Sequence, residues 1–280
     1  MSGIAVDVPL HTDTPTGRVW LVGAGPGDPG LLTVRGLRAL EQADVIIADR
    51  LGARAVLDEF GATLRAEIID VGKQPGHHAV PQDTINALLL SFATAGKKIV
   101  RLKGGDPFIF GRGGEELAFC QAAGVCVEVV PGVTSAISVP AIAGIPLTHR
   151  GIAAGFTVVS GHDQITEIPG GSDHTVVLLM GVGTLANSVH TLARGERGGG
   201  CPVAIIEDGY GAAQRVTVGT LDTIAAQAAR RGIRSPAVVV VGDVVRLSPY
   251  TPEHLIESVG FTHSANLADA SPTHHRKALQ

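Results

Sequence analysis

The sequence predicts an α/β protein of two domains. Three observations carry that prediction: the composition, the alternation of short β-branched runs with helical patterns, and glycine-rich turns placed where strands should end. Of the 280 residues, 45% are hydrophobic and 17% charged, enough apolar material for a substantial buried core in each half. Aromatics are only 4% while Gly occurs 37 times. The core should therefore be built from Val, Ile, Leu and Ala around many tight turns, the profile of an α/β enzyme rather than an all-β binding module.

The elements follow in order. Aliphatic and β-branched runs at 18–22, 45–48 and 98–102 are each followed by a helical pattern, at 31–42, 53–60 and 114–123. Strand followed by helix, repeated, is the rhythm of crossover units and demands a parallel sheet. Pro81-Gln-Asp-Thr84 opens a further helix with proline early in its first turn, and Gly96 closes it. After Pro131-Gly132 a helix of small residues runs to about Gly144, and residues 145–151 read as an extended connector. The domain boundary is expected near residue 150, giving domains at 18–150 and 151–250. The second half offers strands near 156–160, 175–179, 203–206, 215–218 and 237–241, with helices near 184–194 and 220–231. Residues 1–17 and 251–280 are polar flanks expected to be mobile. His274 and His275 in the second flank read as a solvated tail, because two adjacent histidines without partners make a poor metal site.

Several function classes are disfavoured by composition. A formal charge of −4 argues against a general nucleic-acid binder, which needs a basic face. Cys120, Cys126 and Cys201 are odd in number and lack CxxC spacing, so neither a disulfide framework nor a zinc site is indicated, and a reducing cytoplasm is the expected compartment. No basic start followed by a long apolar stretch opens the chain, and no run of about 18 apolar residues occurs, so neither an export signal nor a membrane anchor is expected.

Two glycine loops carry the chemistry. Val19-Trp-Leu-Val-Gly23-Ala-Gly25-Pro-Gly27-Asp-Pro-Gly30 runs from strand to loop to helix, and Asp49 ends the next strand, which together invite a dinucleotide fingerprint. The match fails in detail. Pro26 removes an amide donor, and Asp28 stands where a third glycine belongs and would repel a pyrophosphate. No Gly-Lys-Ser/Thr follows, so a P-loop is excluded as well. Such a loop suits a neutral or cationic ligand better than a phosphate. The second loop, Arg101-Leu-Lys-Gly-Gly-Asp-Pro-Phe-Ile-Phe-Gly-Arg-Gly-Gly-Glu-Glu116, also follows a strand and opens a helix. Both loops therefore lie at the carboxyl edge of one parallel sheet, where α/β proteins bind ligands.

These two loops, with Val130-Pro-Gly-Val-Thr-Ser-Ala136, Ile145-Pro-Leu-Thr-His-Arg150, Leu179-Met-Gly181, Pro202-Val-Ala-Ile-Ile-Glu-Asp-Gly209 and Gln214-Arg-Val216, closely resemble the uroporphyrinogen-III C-methyltransferases of the tetrapyrrole methylase family over about residues 18 to 248. The resemblance implies the two-domain class III methyltransferase fold, with a parallel-sheet amino-terminal domain and a mixed-sheet carboxyl-terminal domain. It implies two methylations of uroporphyrinogen III, at C2 and C7, to precorrin-2, with S-adenosylmethionine as donor. The product would serve sirohaem or cobalamin synthesis, and the nearest alternative is a methylase of a later precorrin. Rivals outside this class are a nicotinamide oxidoreductase built on the first loop and Asp49, and a catalytically idle binding protein of the same fold. With some 17 residues ahead of the first strand, the chain is expected to be the methyltransferase alone.

By the same resemblance, the donor is held by Pro26, Gly104, Gly105, Asp106, Ile109, Thr134, Ser135, Met180 and backbone near Ala204 and Gly209. Asp106 is expected either to meet the amino end or a hydroxyl of the donor or to be only a turn former, and Thr134 and Ser135 are equally suited to capping the following helix. Asp49 matches an acid that orients or deprotonates the substrate, and Lys73 a proposed proton donor. The eight substrate carboxylates ask for cations, and the candidates are Arg50, Lys73, His78, Arg112, His149 and Arg150. No metal is implied, nor a nucleic-acid or membrane partner; a homodimer is expected. Ala48 replaces a common aromatic and Gly52-Ala-Arg a more usual apolar-Ser segment, so the edge of the tetrapyrrole pocket is expected to differ.

Overall fold

The computed structural model describes residues 17–49, 52–72, 80–161, 165, 168 and 170–256. The first half alternates as read: β1 (Arg18–Gly23), α1 (Val34–Gln42), β2 (Val45–Ala48), α2 (Ala53–Phe60), β3 (Glu67–Asp70), α3 (Gln82–Thr94), β4 (Lys98–Lys103), α4 (Gly113–Ala122), β5 (Cys126–Val130) and α5 (Ser135–Ile142). Its strands form one sheet in the order β3-β2-β4-β1-β5, parallel throughout. Each central strand is covered on both faces, so its side chains divide by parity. Trp20, Val22, Val100 and Leu102 pack with Leu40 of α1 and Val56 of α2. Val19, Leu21 and Ile99 pack with Ile85 and Leu89 of α3 and Cys120 of α4. A parallel sheet sandwiched between helices follows from these continuous apolar runs.

The second half runs β6 (Gly155–Ser160), β7 (His174–Leu179), α6 (Leu185–Arg194), β8 (Pro202–Glu207), β9 (Arg215–Thr220), α7 (Ile224–Arg231), β10 (Ala237–Val241) and α8 (Glu253–Ile256). Here the order is β6-β7-β10-β8-β9; β6 and β7 are parallel, and the remaining pairs are antiparallel. One face is closed by α6 and α7. The other receives α5 of the first half, whose Ala136 and Val139, with the capping Ala143, join Val177, Leu179, Ile206 and Val238 in a single core. The last helix of one sheet is thus a structural layer of the other.

Local differences from the sequence reading have local causes. The helix expected from residue 31 starts at Val34, because Asp28 caps a 3-10 turn at Pro29–Leu31 through the Gly30 amide and Thr33 then caps α1 through the Gly36 amide. The connector at 145–151 is not simply extended: the His149 and Ala153 amides and carbonyls pair across a turn. Residues 251–256, assigned to the mobile tail, continue the fold. The Thr251 hydroxyl donates to the Val245 carbonyl at 2.6 Å, and Leu255 of α8 is buried. Among the described residues no helix is long and apolar enough to cross a membrane.

Candidate active site

The loops that follow β1, β4 and β5 meet at the carboxyl edge of the first sheet. Gly25 and Gly105 exchange two backbone hydrogen bonds, at 3.2 and 2.8 Å, and the Ala24 amide donates to the Lys103 carbonyl at 2.7 Å. Glycine is required here by proximity. A Cβ on Gly132 would lie 2.3 Å from the Gly105 carbonyl oxygen, and one on Gly23 would lie 2.5 Å from the same atom. Asp106 fastens the bundle: Oδ1 accepts from the Phe108 amide at 2.8 Å and Oδ2 from the Gly132 amide at 3.0 Å. The turn-forming reading of Asp106 therefore describes its contacts within the chain, extended by a tie between two loops. Thr134 accepts from the Ala136 amide as the cap of α5, so its hydroxyl has the capping role expected of it. Thr134 and Ser135 lie beside Gly105, where an added Cβ would stand 3.7 Å from the Thr134 Cα.

Opposite these loops, β7 and β8 run the same way, both antiparallel to β10, so their carboxyl ends share an edge. That edge carries Met180 and the segment Asp208–Tyr210. Met180, Asp208 and Tyr210 all have positive φ, as do Phe110 and Arg112 in the loop after β4. Left-handed backbone at a non-glycine residue costs about 1–3 kcal/mol and persists only where surroundings enforce it. The enforcing contacts are visible: the Asp208 amide donates to the Pro236 carbonyl at 2.9 Å, its Oδ2 accepts from Ala213, and the Tyr210 hydroxyl donates to the Ser138 carbonyl on α5 at 3.1 Å. Gly209 rests on Val139, where a Cβ would meet both methyls at 2.7 Å. A Cβ on Gly27 would stand 3.9 Å from the Gly209 carbonyl oxygen, so the first glycine loop and the β8 loop approach one another. Phe108, Ile109, Phe110 and Met180 remain exposed, Met180 at 44%. Apolar side chains held out on strained loops mark a binding surface rather than a core. Ala204 departs from expectation: it is fully buried in the middle of β8 and paired with Val218 on one side and Val240 on the other, so the ladder, not the rim, uses its backbone.

Asp49 stands at the end of β2, a third exposed. Its Oδ1 accepts from Arg101 Nη2 at 2.6 Å, and Lys103 Nζ lies 3.8 Å from Oδ2. Both cations are buried and are shared with Glu116 of α4: Glu116 Oε1 accepts from Arg101 Nε at 3.0 Å, from Lys103 Nζ at 3.1 Å and from Gln82 Nε2 at 3.1 Å. Glu116 is fully buried, and its Oε2 has no hydrogen-bond partner among the described residues. Burial, helped by the neighbouring Arg101, holds the Lys103 ammonium below the usual lysine range, while Glu116 and Asp49 pull the other way. This cluster was absent from the site expected from sequence. Its signal was the spacing of Arg101 and Lys103, two residues apart among the apolar Ile99, Val100 and Leu102 and so on one face.

Of the proposed substrate cations, Arg112 is exposed and forks onto Glu115 at 2.9 and 2.6 Å; that hydrogen bond is the main cause raising its pKa. His149 and Arg150 are exposed on the connector, the His149 Nδ1 beside the Arg150 carbonyl at 3.0 Å, and no described contact joins them to Asp49. Arg50, Lys73 and His78 lie outside the described residues. Cys120, Cys126 and Cys201 are free thiols, and burial pushes Cys120 up to about 11 and Cys201 to about 12. Among the described residues no group of three or more His, Cys, Asp or Glu is placed to hold a metal ion.

Comparison with known proteins places this arrangement. Residues 18–225 match the model of the tetrapyrrole (corrin/porphyrin) methylases. The S-adenosyl-L-methionine-dependent uroporphyrinogen III methyltransferase of Methanosarcina barkeri is 48% identical over 239 residues, 82% of this chain and 93% of that protein. The sirohaem synthase of Gluconobacter oxydans is 45% identical over 258 residues, 88% of this chain but 53% of that protein. Among solved structures, uroporphyrin-III C-methyltransferase of Thermus thermophilus complexed with S-adenosylhomocysteine superposes with a TM-score of 0.66 at 40% identity, covering 82% of this chain and 94% of that one. From the strand order, the stitched glycine loops and these matches together, the chain belongs to the tetrapyrrole methylase family.

Proposed function

We propose that this chain is an S-adenosylmethionine-dependent C-methyltransferase that converts uroporphyrinogen III to precorrin-2 by successive methylations at C2 and C7, in the synthesis of sirohaem or cobalamin. The observation that carries this reading is the pairing of two rims: a backbone cradle at Gly23–Gly25, Gly104–Asp106 and Gly132 with the exposed Ile109 beside it on the same loop, and the exposed Met180 on the other rim. The cradle presents loop backbone and a turn carboxylate to a zwitterionic amino-acid end, while the thioether and the isoleucine offer apolar contact to an adenine. Pro26, Gly104, Gly105, Asp106, Ile109, Thr134, Ser135, Met180 and Gly209 are the residues assigned to the donor. The sulfonium supplies an already activated methyl, so the protein's work is alignment and charge. The relative's name, with its donor and its acceptor, supports the same reading.

Asp49 is assigned to the acceptor. Attack by a pyrrole carbon leaves a cationic ring that must lose a proton, and a carboxylate at the rim both orients that ring and takes the proton. Arg101 and Lys103 keep Asp49 in place. Lys73 is assigned the proton-donor role, and Arg50, His78, Arg112, His149 and Arg150 the acidic side chains of the macrocycle. The two sheets support a domain division near residue 150. A homodimer is supported by an open apolar groove between α5 and β6, lined by Ile137, Ile145, Leu147 and Phe156, with Ile137 and Phe156 exposed. A cytoplasmic location completes the proposal, consistent with the free thiols.

Anaerobic incubation with uroporphyrinogen III and labelled donor tests the assignment. Doubly methylated product is expected; unmodified substrate, or activity only on a later precorrin, contradicts it.

A further inference from the structure

We propose that Glu116 is a positioning residue for methyl transfer: acting through Arg101 and Lys103, it fixes the orientation and charge balance of the Asp49 carboxylate. This inference rests on the reading of Asp49 given above and deepens it. Asp49 contacts two cations on the same face of β4, and both also bond Glu116; Arg101 Nη1 donates in addition to the Ile47 and Leu102 carbonyls at 3.3 and 3.4 Å. One carboxylate oxygen, Glu116 Oε1, accepts from Arg101, Lys103 and Gln82, so a single atom holds Lys103 Nζ and Arg101 Nε from behind and its loss releases both of those contacts together. The arrangement is costly in isolation. Four charges sit in or beside the core, and Glu116 carries a second oxygen with no partner among the described residues. A frame that served packing alone would be replaceable by apolar side chains at little cost. Glu116 sits in the first turn of α4.

Charge counting gives the frame a signature. Among the described residues, the groups facing Asp49 are Arg101 and Lys103 from β4 and, behind them, Glu116 from α4; α3 contributes the neutral Gln82, and the Cys120 thiol faces Glu116 from its own helix. The two cations balance the two carboxylates. Removing the Glu116 charge leaves an excess cation beside Asp49 and favours its ionised form; removing Lys103 does the opposite.

The test uses the full chain with uroporphyrinogen III and labelled donor, recording kcat against pH beside calorimetric affinity for S-adenosylhomocysteine. In E116Q, kcat should fall about 10- to 100-fold, the cost of a misplaced base. The acid limb of its profile should move to lower pH, with affinity for S-adenosylhomocysteine within about twofold of wild type. In K103M the acid limb should move to higher pH by roughly one unit. Opposite displacements support the inference, and K103M alone decides it if E116Q does not fold. Coincident acid limbs in both variants, or an E116Q loss as large in the D49N background as in wild type, overturn it. A wild-type protein that methylates nothing overturns the reading of the site as well; an active wild type with unmoved variants overturns the inference alone.

Discussion

The two rims of the site are built by opposite means. On the first sheet, loops after parallel strands are stitched backbone to backbone, and behind them lies a buried frame of Arg101, Lys103 and Glu116 with Asp49 at its open end. On the second, Met180, Asp208 and Tyr210 sit in left-handed backbone, and the feature offered to solvent is an apolar side chain. The contrast assigns labour. On the proposed reading, electrostatics and proton transfer belong to the rim where charges are fixed by burial, while apolar contact is shared between Ile109 on that rim and Met180, held outward by left-handed backbone, on the other.

Breaking that contrast begins with Asp49. D49N should lower kcat by about 10²- to 10⁴-fold while donor affinity stays near wild type, because the amide keeps the shape and loses the base. Wild-type turnover would make Asp49 structural. Next in size is G132A. Its methyl would stand 2.3 Å from the Gly105 carbonyl oxygen, so unfolding by denaturant should show a loss of about 3 kcal/mol. G200A, where a Cβ meets nothing within 4 Å, should by contrast be near neutral.

D106A removes two acceptors from loop amides and should cost roughly 1–3 kcal/mol of stability together with weaker donor binding, read by calorimetry. Unchanged donor affinity would confine Asp106 to holding the loops. On the other rim, M180A should weaken donor binding by about 1 kcal/mol and leave the kcat–pH profile where it was. R112A should have the smallest effect, a rise in substrate KM below about threefold, because this exposed side chain already forks onto Glu115.

How far the sequence reached follows the same division. β1 and β2 were readable because strands buried on both faces leave unbroken apolar runs, β4 because Ile99, Val100 and Leu102 keep that pattern around its buried Arg101, and the glycine loops because close backbone approach admits no other residue. Glu67–Asp70 escaped as a strand: it is a short edge with charged ends, its pairing supplied by β2 rather than by its own pattern. The cover given to the second sheet by α5 is a tertiary fact with no local signature. Glu116 was in view as the last letter of a motif, but its partners lie 13 and 15 residues upstream on a strand and 34 residues upstream on another helix, and only folding brings them to one oxygen. Ala204 shows the reverse, a position that matches the family in sequence while its backbone is consumed by neighbouring strands.

A crystal structure of the protein with S-adenosylhomocysteine bears most directly on the division between the rims. The ligand should lie with its amino-acid end against Gly104–Asp106 and its adenine against Met180, with the sulfur turned toward the Asp49 side. A ligand bound elsewhere, or a cleft left empty at saturating concentration, would contradict it.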